Sequence, residues 1–414
     1  MTRARVVLIS SAASIAALMA IVLLNPFGAG AANPEPDLTV AAAKKAKVVG
    51  YYTNWATYRG ATGQVKRLHT SGAAGKLTHV LYAFGSVEGG RCGIGDAYAD
   101  YQKKIPAAQS VNGRADLASQ KVAGNFNQLR QLKQKHPRLK VIWSFGGGTG
   151  SAGFTQAALD PAGFARSCRA LVEDKRWADV FDGIDIDWEY PNTCGVNCDA
   201  SGYNAYPVLL RAVRKEFGKD LVTSAITGNG RAGGTLFKAN YAEGAKYLDW
   251  LMPMTYDYHG SWERKGPTAP HSPLGDYASA KPKGYDSKTV IAALRQQGVP
   301  SKKLLLGVPF YGRGWTGVKQ KAPGGAATGP AKGSSGTGIE SYRVLARTCP
   351  PSGTVGGSAY AKCGKNWWSY DTPKTIAGKM KYAKKQKLGG AFYWEFSGDT
   401  AKASLTKAIA KGLS

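Results

Sequence analysis

The 414-residue chain reads as an α/β protein: a (β/α)8 barrel with a small α+β insertion between its seventh and eighth strands. Three observations predict it. Eight short β-rich runs recur at wide intervals, amphipathic stretches of helical period separate most of them, and the runs are nearly continuous in apolar residues. Alternating strands and helices make a parallel sheet, and eight strands covered on both faces favour a closed barrel over an open sheet.

The first four runs are KVVGYYTNW (47–55), KLTHVLYAFG (76–85), LKVIWSFGGG (139–148) and VFDGIDIDWEY (180–190). The next four are DLVTSAITG (220–228), LDWLMPMTYD (248–257), KLLLGVPFYGRGW (303–315) and GGAFYWEF (389–396). Between them lie helical patterns such as NFNQLRQLKQKHP, DPAGFARSCRALVEDKRW, AYPVLLRAVRKEFG and SKTVIAALRQQG. The interval from about 315 to 371 differs. It is Gly-rich, holds two cysteines and Tyr/Trp clusters, and has no long helical pattern, so it is assigned to the insertion on the barrel rim. The barrel domain is expected over 47–414, after a short tail at 32–46.

Residues 1–31 read as a leader rather than as fold. Arg3 and Arg5 precede an uncharged apolar run from Val6 to Leu24, and Ala29-Gly30-Ala31 offers a small-residue cleavage site. A run of this length could also span a bilayer, so a retained anchor is the competing reading. The expected destination is extracellular, with no stable membrane insertion once the leader is removed.

Export gives the six cysteines a meaning. Six cysteines allow ~15 pairings. Cys194 with Cys198 and Cys349 with Cys363 are close enough in sequence to staple single loops, which leaves Cys92 with Cys168. Zinc is the alternative, but CGVNC lacks the second CxxC or paired histidines needed to complete four ligands. The five histidines show no ligand spacing either, and neither a metal nor a cofactor is expected.

The formal charge is +28, which raises the possibility of nucleic acid as a partner. The Lys and Arg are scattered along helix-like stretches, and no zinc finger, helix-turn-helix or RNA-reading pattern accompanies them. A solvated basic surface is the reading, with no nucleic-acid partner and a monomeric state expected.

The informative stretch is DGIDIDWEYP (182–191). Side chains alternate on a strand, so Asp185, Asp187 and Glu189 share one face while Ile184, Ile186 and Trp188 share the other. The acids therefore point into the barrel, with Glu189 at the C-terminal end, where such barrels place their chemistry. Three inward carboxylates cannot all ionise cheaply, so some pKa values must rise. A purely structural acid cluster would cost stability for no return. The spacing is not that of an EF-hand, and the other strand ends offer aromatics rather than the cations a phosphoryl-transfer site requires. Cleavage of a glycosidic bond by a carboxylic acid of raised pKa fits better, and the 10 Trp, 21 Tyr and 12 Phe suit a cleft that holds sugar rings.

These residues resemble the DxxDxDxE strand of family 18 glycoside hydrolases, the chitinases. The resemblance runs from about Val48 to Phe396: GYYTNW resembles the family's first strand, SFGG (144–147) its third, MTYD (254–257) its sixth, YGR (311–313) its seventh and AFYWEF its last. It implies a secreted enzyme that cleaves β-1,4 bonds of chitin or chitooligosaccharides with retention, using the substrate's own 2-acetamido oxygen as nucleophile. It also implies roles. Glu189 is the general acid, Asp187 orients the acetamido group, Asp185 shares a proton with Asp187, and Tyr256 donates to the acetamido carbonyl. Tyr51 and Ser144 hydrogen-bond Asp185. Trp394 floors the subsite that holds the reacting sugar, beside Met254 and Asp257, and Arg313 contacts a site acid. Asp182, of different parity, braces the strand. Trp55, Trp315, Trp367 and Trp368 are either sugar platforms or rim packing, and Trp143 belongs to the layer between barrel and helices. The rival activities are cleavage of N-glycan cores and, if the acid were lost, simple chitin binding; Glu189 is present.

Overall fold

The computed structural model describes residues 45–414. The expected leader, and all of the tail but its last two residues, lie outside the described residues.

Eight parallel strands form the barrel: Lys47–Thr53, His79–Glu88, Lys140–Gly146, Gly183–Asp187, Leu221–Ile226, Trp250–Pro253, Leu305–Pro309 and Gly390–Trp394. Strand one pairs with strands two and eight, and each of the others with its sequence neighbour, up to a single parallel bridge between Leu251 and Leu304 that joins strands six and seven. This is the (β/α)8 barrel expected from the sequence.

The alternation in each strand sorts side chains into two layers. Val49, Leu81, Ile142, Met252, Leu305 and Phe392 fill the barrel interior. Ile184, Ile186 and Trp188 face outward with Trp143, which stacks on Phe181 at 4.6 Å beneath the helices. The helices bury apolar stripes against this outer layer, and several start at side-chain caps. Asp160 accepts from the Gly163 N–H (2.9 Å) ahead of Pro161–Val172, and Asp286 accepts from the Thr289 N–H (3.1 Å) ahead of Ser287–Gln296. Each satisfies an amide that the helix itself leaves unpaired.

The seventh run differs from expectation. Residues 303–315 do not form one strand: the barrel strand ends at Pro309, and Tyr311–Thr316 belongs to a separate antiparallel sheet. Phe310 makes the last barrel rung, its N–H donating to the Trp394 carbonyl at 2.7 Å. Beyond it, Gly312 and Gly314 let the chain pass under Leu345 and Trp368, where a Cβ would approach to 2.6 and 2.3 Å. The insertion sheet thus begins at Tyr311 and adds Gly329–Pro330, Ile339–Ser341, Gly353–Val355, Ser358–Cys363 and Asn366–Tyr370, with one helix, Tyr342–Thr348. Where the chain returns to the barrel, Asp371 meets Lys379 at 2.5 Å, both side chains fully buried. Lys379 also donates to the Ser272 carbonyl at 2.7 Å, pinning the loop after strand six to the base of the insertion.

Three disulfides staple the chain. Cys92–Cys168 ties a hairpin arm to the helix Pro161–Val172, Cys194–Cys198 closes the loop after strand four, and Cys349–Cys363 joins the insertion's helix to its sheet.

Candidate active site

The acid strand is held in register by its neighbours. At its N-terminal end Asp182 accepts from Lys133 Nζ (2.8 Å), Lys140 Nζ (2.9 Å) and the Val141 N–H (2.8 Å). It braces the strand far from the cleft, and burial, which would raise its carboxyl, is outweighed by these donors, which hold it below the usual range.

One turn of the pleat further on, Asp185 lies level with Ser144 on one side and Thr223 on the other. Its Oδ2 accepts from Tyr51 Oη (2.9 Å) and Ser144 Oγ (2.7 Å), and its Oδ1 from Thr223 Oγ1 (2.6 Å). Burial pushes the carboxyl up and the three hydroxyls pull it back, leaving it raised. The three donors reach both oxygens and fix the carboxyl beside Asp187. Ser144 is fully buried beneath Asp185, so it supports that carboxyl and does not reach the cleft.

Asp187 and Glu189 complete the row. Asp187 lines the cleft yet is only 3% exposed, and its Oδ1 has no hydrogen-bond partner. Burial, then the charges of Glu189 and Asp185, drive its carboxyl well above the carboxylate range. The Glu189 carboxyl is pushed up to about 7 by burial, opposed by a hydrogen bond from Tyr190 and reinforced by the nearby charge of Asp257. The Glu189 N–H donates to Ser151 Oγ (2.9 Å), which in turn donates to the Gly147 carbonyl (2.8 Å). Gly147 has φ +82° and would drive a Cβ to 2.6 Å from the Phe84 ring, so this turn requires glycine.

A cleft of about 300 Å³ opens above these acids, walled by Trp55, Phe84, Met254, Tyr256, Tyr311 and Trp394. Trp394 is held by Tyr51 (5.1 Å between rings) and by Phe84, nearly parallel at 5.7 Å. Trp55 borders the cleft and is 36% exposed. Trp315, Trp367 and Trp368 are buried instead. Trp315 and Trp367 pair across the insertion sheet and donate their indole N–H groups to the Glu263 and Lys321 carbonyls, so all three are packing residues. Past Trp394 the cleft continues into a polar recess of about 180 Å³, where Arg59 reaches Glu395 (3.3 Å) and Ser397 Oγ (2.9 Å).

Asp257 closes the site from the loop after strand six. Its φ of +59° is unusual for a residue with a Cβ. Its oxygens accept from Arg313 Nε and Nη2, both at 2.7 Å. Burial would raise this carboxyl, but the guanidinium, helped by His271, holds it well below the usual range. Arg313 lies behind the acid in the polar recess rather than in the main cleft. Burial keeps the Tyr256 hydroxyl protonated, and so a donor, at any ordinary pH.

Sequence reasoning missed Thr223, Phe84, Tyr190 and His271. Only Thr223 left a signal, as a hydroxyl of inward parity in the run next to the acid strand. Among the described residues no cluster of three His, Cys, Asp or Glu side chains could hold a metal, and no helix is long and apolar enough to cross a membrane.

The site sets a glutamic acid of raised pKa beside a second buried carboxyl with an unpartnered oxygen, both lining an aromatic-walled cleft. Residues 47–399 match the model of the glycosyl hydrolases family 18. The chain belongs to that family. It is 57% identical over 355 residues to chitinase C of Streptomyces lividans and 54% identical over 386 residues to chitinase 63 of Streptomyces plicatus. These alignments cover 85% and 93% of this chain but only 57% and 62% of those proteins, so the chain spans about three-fifths of the length of the two relatives. Chitinase 1 of Aphanocladium album is 35% identical, covering 84% of this chain and 80% of that one. Among solved structures, the catalytic domain of the psychrophilic chitinase B from Arthrobacter TAD20 superposes with a TM-score of 0.82 at 32% identity, covering 89% of this chain and 95% of that one.

Proposed function

We propose that this chain is a secreted chitinase that hydrolyses β-1,4 bonds between N-acetylglucosamine units by substrate-assisted, retaining catalysis. One observation carries the mechanism: Asp187 lines the cleft with a buried carboxyl, one oxygen of which has no hydrogen-bond partner, beside a glutamic acid of raised pKa. A buried acceptor without a donor costs stability unless a ligand supplies one, and the N–H of a 2-acetamido group would do so.

In this reading Glu189 protonates the glycosidic oxygen as that bond to the anomeric carbon breaks. The acetamido oxygen forms the new bond to the same carbon, and positive charge spreads over the resulting five-membered ring. Asp187 holds the N–H and offsets that charge, while Tyr256 donates to the acetamido oxygen. Water then attacks from the side the leaving sugar vacated, with the Glu189 carboxylate taking its proton. Two inversions give retention. Asp185, fixed by three hydroxyls, sets the field around Asp187, and Trp394 supplies the apolar plate under the ring.

Secretion is supported by the leader-like N-terminal run together with three disulfides, which persist in oxidising compartments. The homologous chitinases and the aromatic cleft favour chitin over N-glycan cores. The test is hydrolysis of chitin oligomers of defined length, with products resolved by anomer and size. Fresh products in the β-anomer support the reading; α-anomers, or no cleavage, contradict it.

A further inference from the structure

Behind Asp257 lies a histidine that the mechanism above does not use. His271 sits on the loop after strand six, fully buried. Its backbone N–H donates to Ser369 Oγ (3.0 Å), its Nε2 lies 3.2 Å from the Tyr311 carbonyl oxygen, and its Nδ1 lies 3.4 Å from Asp257 Oδ1. A carbonyl oxygen only accepts, so Nε2 must carry a proton whatever the charge of the ring. What varies is Nδ1. In the neutral ring its lone pair faces an ionised carboxylate, two acceptors at a separation longer than an N–H···O bond. In the imidazolium it becomes a donor and gains the partner it otherwise lacks.

We propose that His271 is a positioning residue for Asp257, engaging its carboxylate when protonated and releasing it to the substrate when neutral. This deepens the functional reading and rests on Asp257 touching the bound sugar.

The surroundings set the direction. Asp257 faces the ring from the start of the loop after strand six, Tyr311 and Arg313 from the first insertion strand, and Asp371, bridged to Lys379, from the insertion's end. Burial and Arg313 disfavour the charged ring while Asp257 and Asp371 favour it, and the balance lies below the usual histidine value. The ring is therefore neutral at neutral pH, where the hydrogen bonds to the Asp257 carboxylate come from Arg313 and the exposed part of that carboxylate is open to a sugar hydroxyl. In acid the imidazolium claims Oδ1 and competes with the substrate. The KM for chitooligosaccharides should then rise as pH falls through the His271 titration, by ~3–10-fold for one weakened hydrogen bond. Turnover should move less, since Glu189 is already protonated there.

The experiment combines kinetics with NMR of ¹⁵N-histidine-labelled enzyme, which has only five histidines to resolve. The variant His271→Asn keeps an amide near Nδ1 but cannot titrate, and it also assigns the His271 signals by their loss. Expected are an Nε2–H tautomer at pH 7, a titration that coincides with the rise in KM, and a flattened acid rise in KM for His271→Asn. An Nδ1–H tautomer at pH 7 would overturn the proposal, as would a KM–pH profile of His271→Asn that superimposes on wild type. If the wild-type enzyme cleaves no chitooligosaccharide, the functional reading fails instead, while the tautomer still reports independently on the Asp257 contact.

Discussion

Arg313 of the insertion sheet grips both carboxylate oxygens of Asp257 at 2.7 Å, across from the loop that follows barrel strand six. The bridge ties the insertion to the barrel at the edge of the cleft. A planar fork fits a carboxylate through two parallel bonds, and a lysine ammonium cannot replace it. Arg313→Ala should therefore lower kcat/KM by ~10²-fold through misplacement of Asp257, and Arg313→Lys should recover only part of that loss. Steady-state kinetics on a chitotetraose substrate checks it; full recovery with lysine would mean that charge alone matters.

Glu189→Gln keeps volume and removes the transferable proton. Hydrolysis should fall ~10²–10⁴-fold, with oligosaccharide affinity by calorimetry near wild type. A variant that retains a tenth of the wild-type rate would remove Glu189 from its role.

Much of the site was legible before the structure, and the reason is periodicity. Asp185, Asp187 and Glu189 declare their common face because a strand alternates, and a barrel says which face is inward. Thr223 is 38 residues from Asp185 and meets it only through the parallel register of strands four and five, which no local spacing encodes. His271 lies on a loop placed by the Lys379–Asp371 pair and the insertion sheet, so its approach to Asp257 is a tertiary fact. The run 303–315 looked continuous because Tyr311–Thr316 has strand composition too; the change of sheet at Phe310 shows only in the pairing. Trp315 and Trp367 look like platforms in a list of aromatics, yet each is spent on the insertion's own core.

The raised Glu189 carboxyl makes a pH prediction. The acid must be protonated to act, so kcat should fall as pH rises through about 7 rather than through the ordinary carboxylate range. Burial is the main cause and the Asp257 charge a lesser one, so Asp257→Asn should move this alkaline limb downward. The same shift bears on stability. A carboxyl whose folded pKa lies above its unfolded value favours the fold below the unfolded value of 4.5, and that contribution is lost as pH rises to about 7. Glu189→Gln should accordingly raise Tm more at pH 8 than at pH 4.5. Equal Tm changes at both pH values would contradict the assignment.

Cys92–Cys168 spans 76 residues of sequence, the widest of the three disulfides. In the chain-entropy picture its removal by paired serine substitutions should cost ~2–4 kcal/mol of unfolding free energy in a denaturant titration. The linkage lies on the hairpin arm, away from the acids, so kcat at 25 °C should stay within a factor of a few of wild type. A comparable loss of kcat would place that arm in the substrate path.

The central claim is that the substrate's acetamido oxygen, gripped by Asp187 and Tyr256, is the nucleophile. An N-acetyl group is then obligatory on the sugar whose bond is cut, because a free amine has no carbonyl oxygen to close the five-membered ring. The measurement is the sequencing of products from partially deacetylated chitosan, reading the identity of every new reducing end. Nearly all should be N-acetylglucosamine, whatever lies on the other side of the bond. Abundant glucosamine at the new reducing ends would mean that a protein carboxylate attacks directly, and the roles given to Asp187 and Tyr256 would fall with the claim.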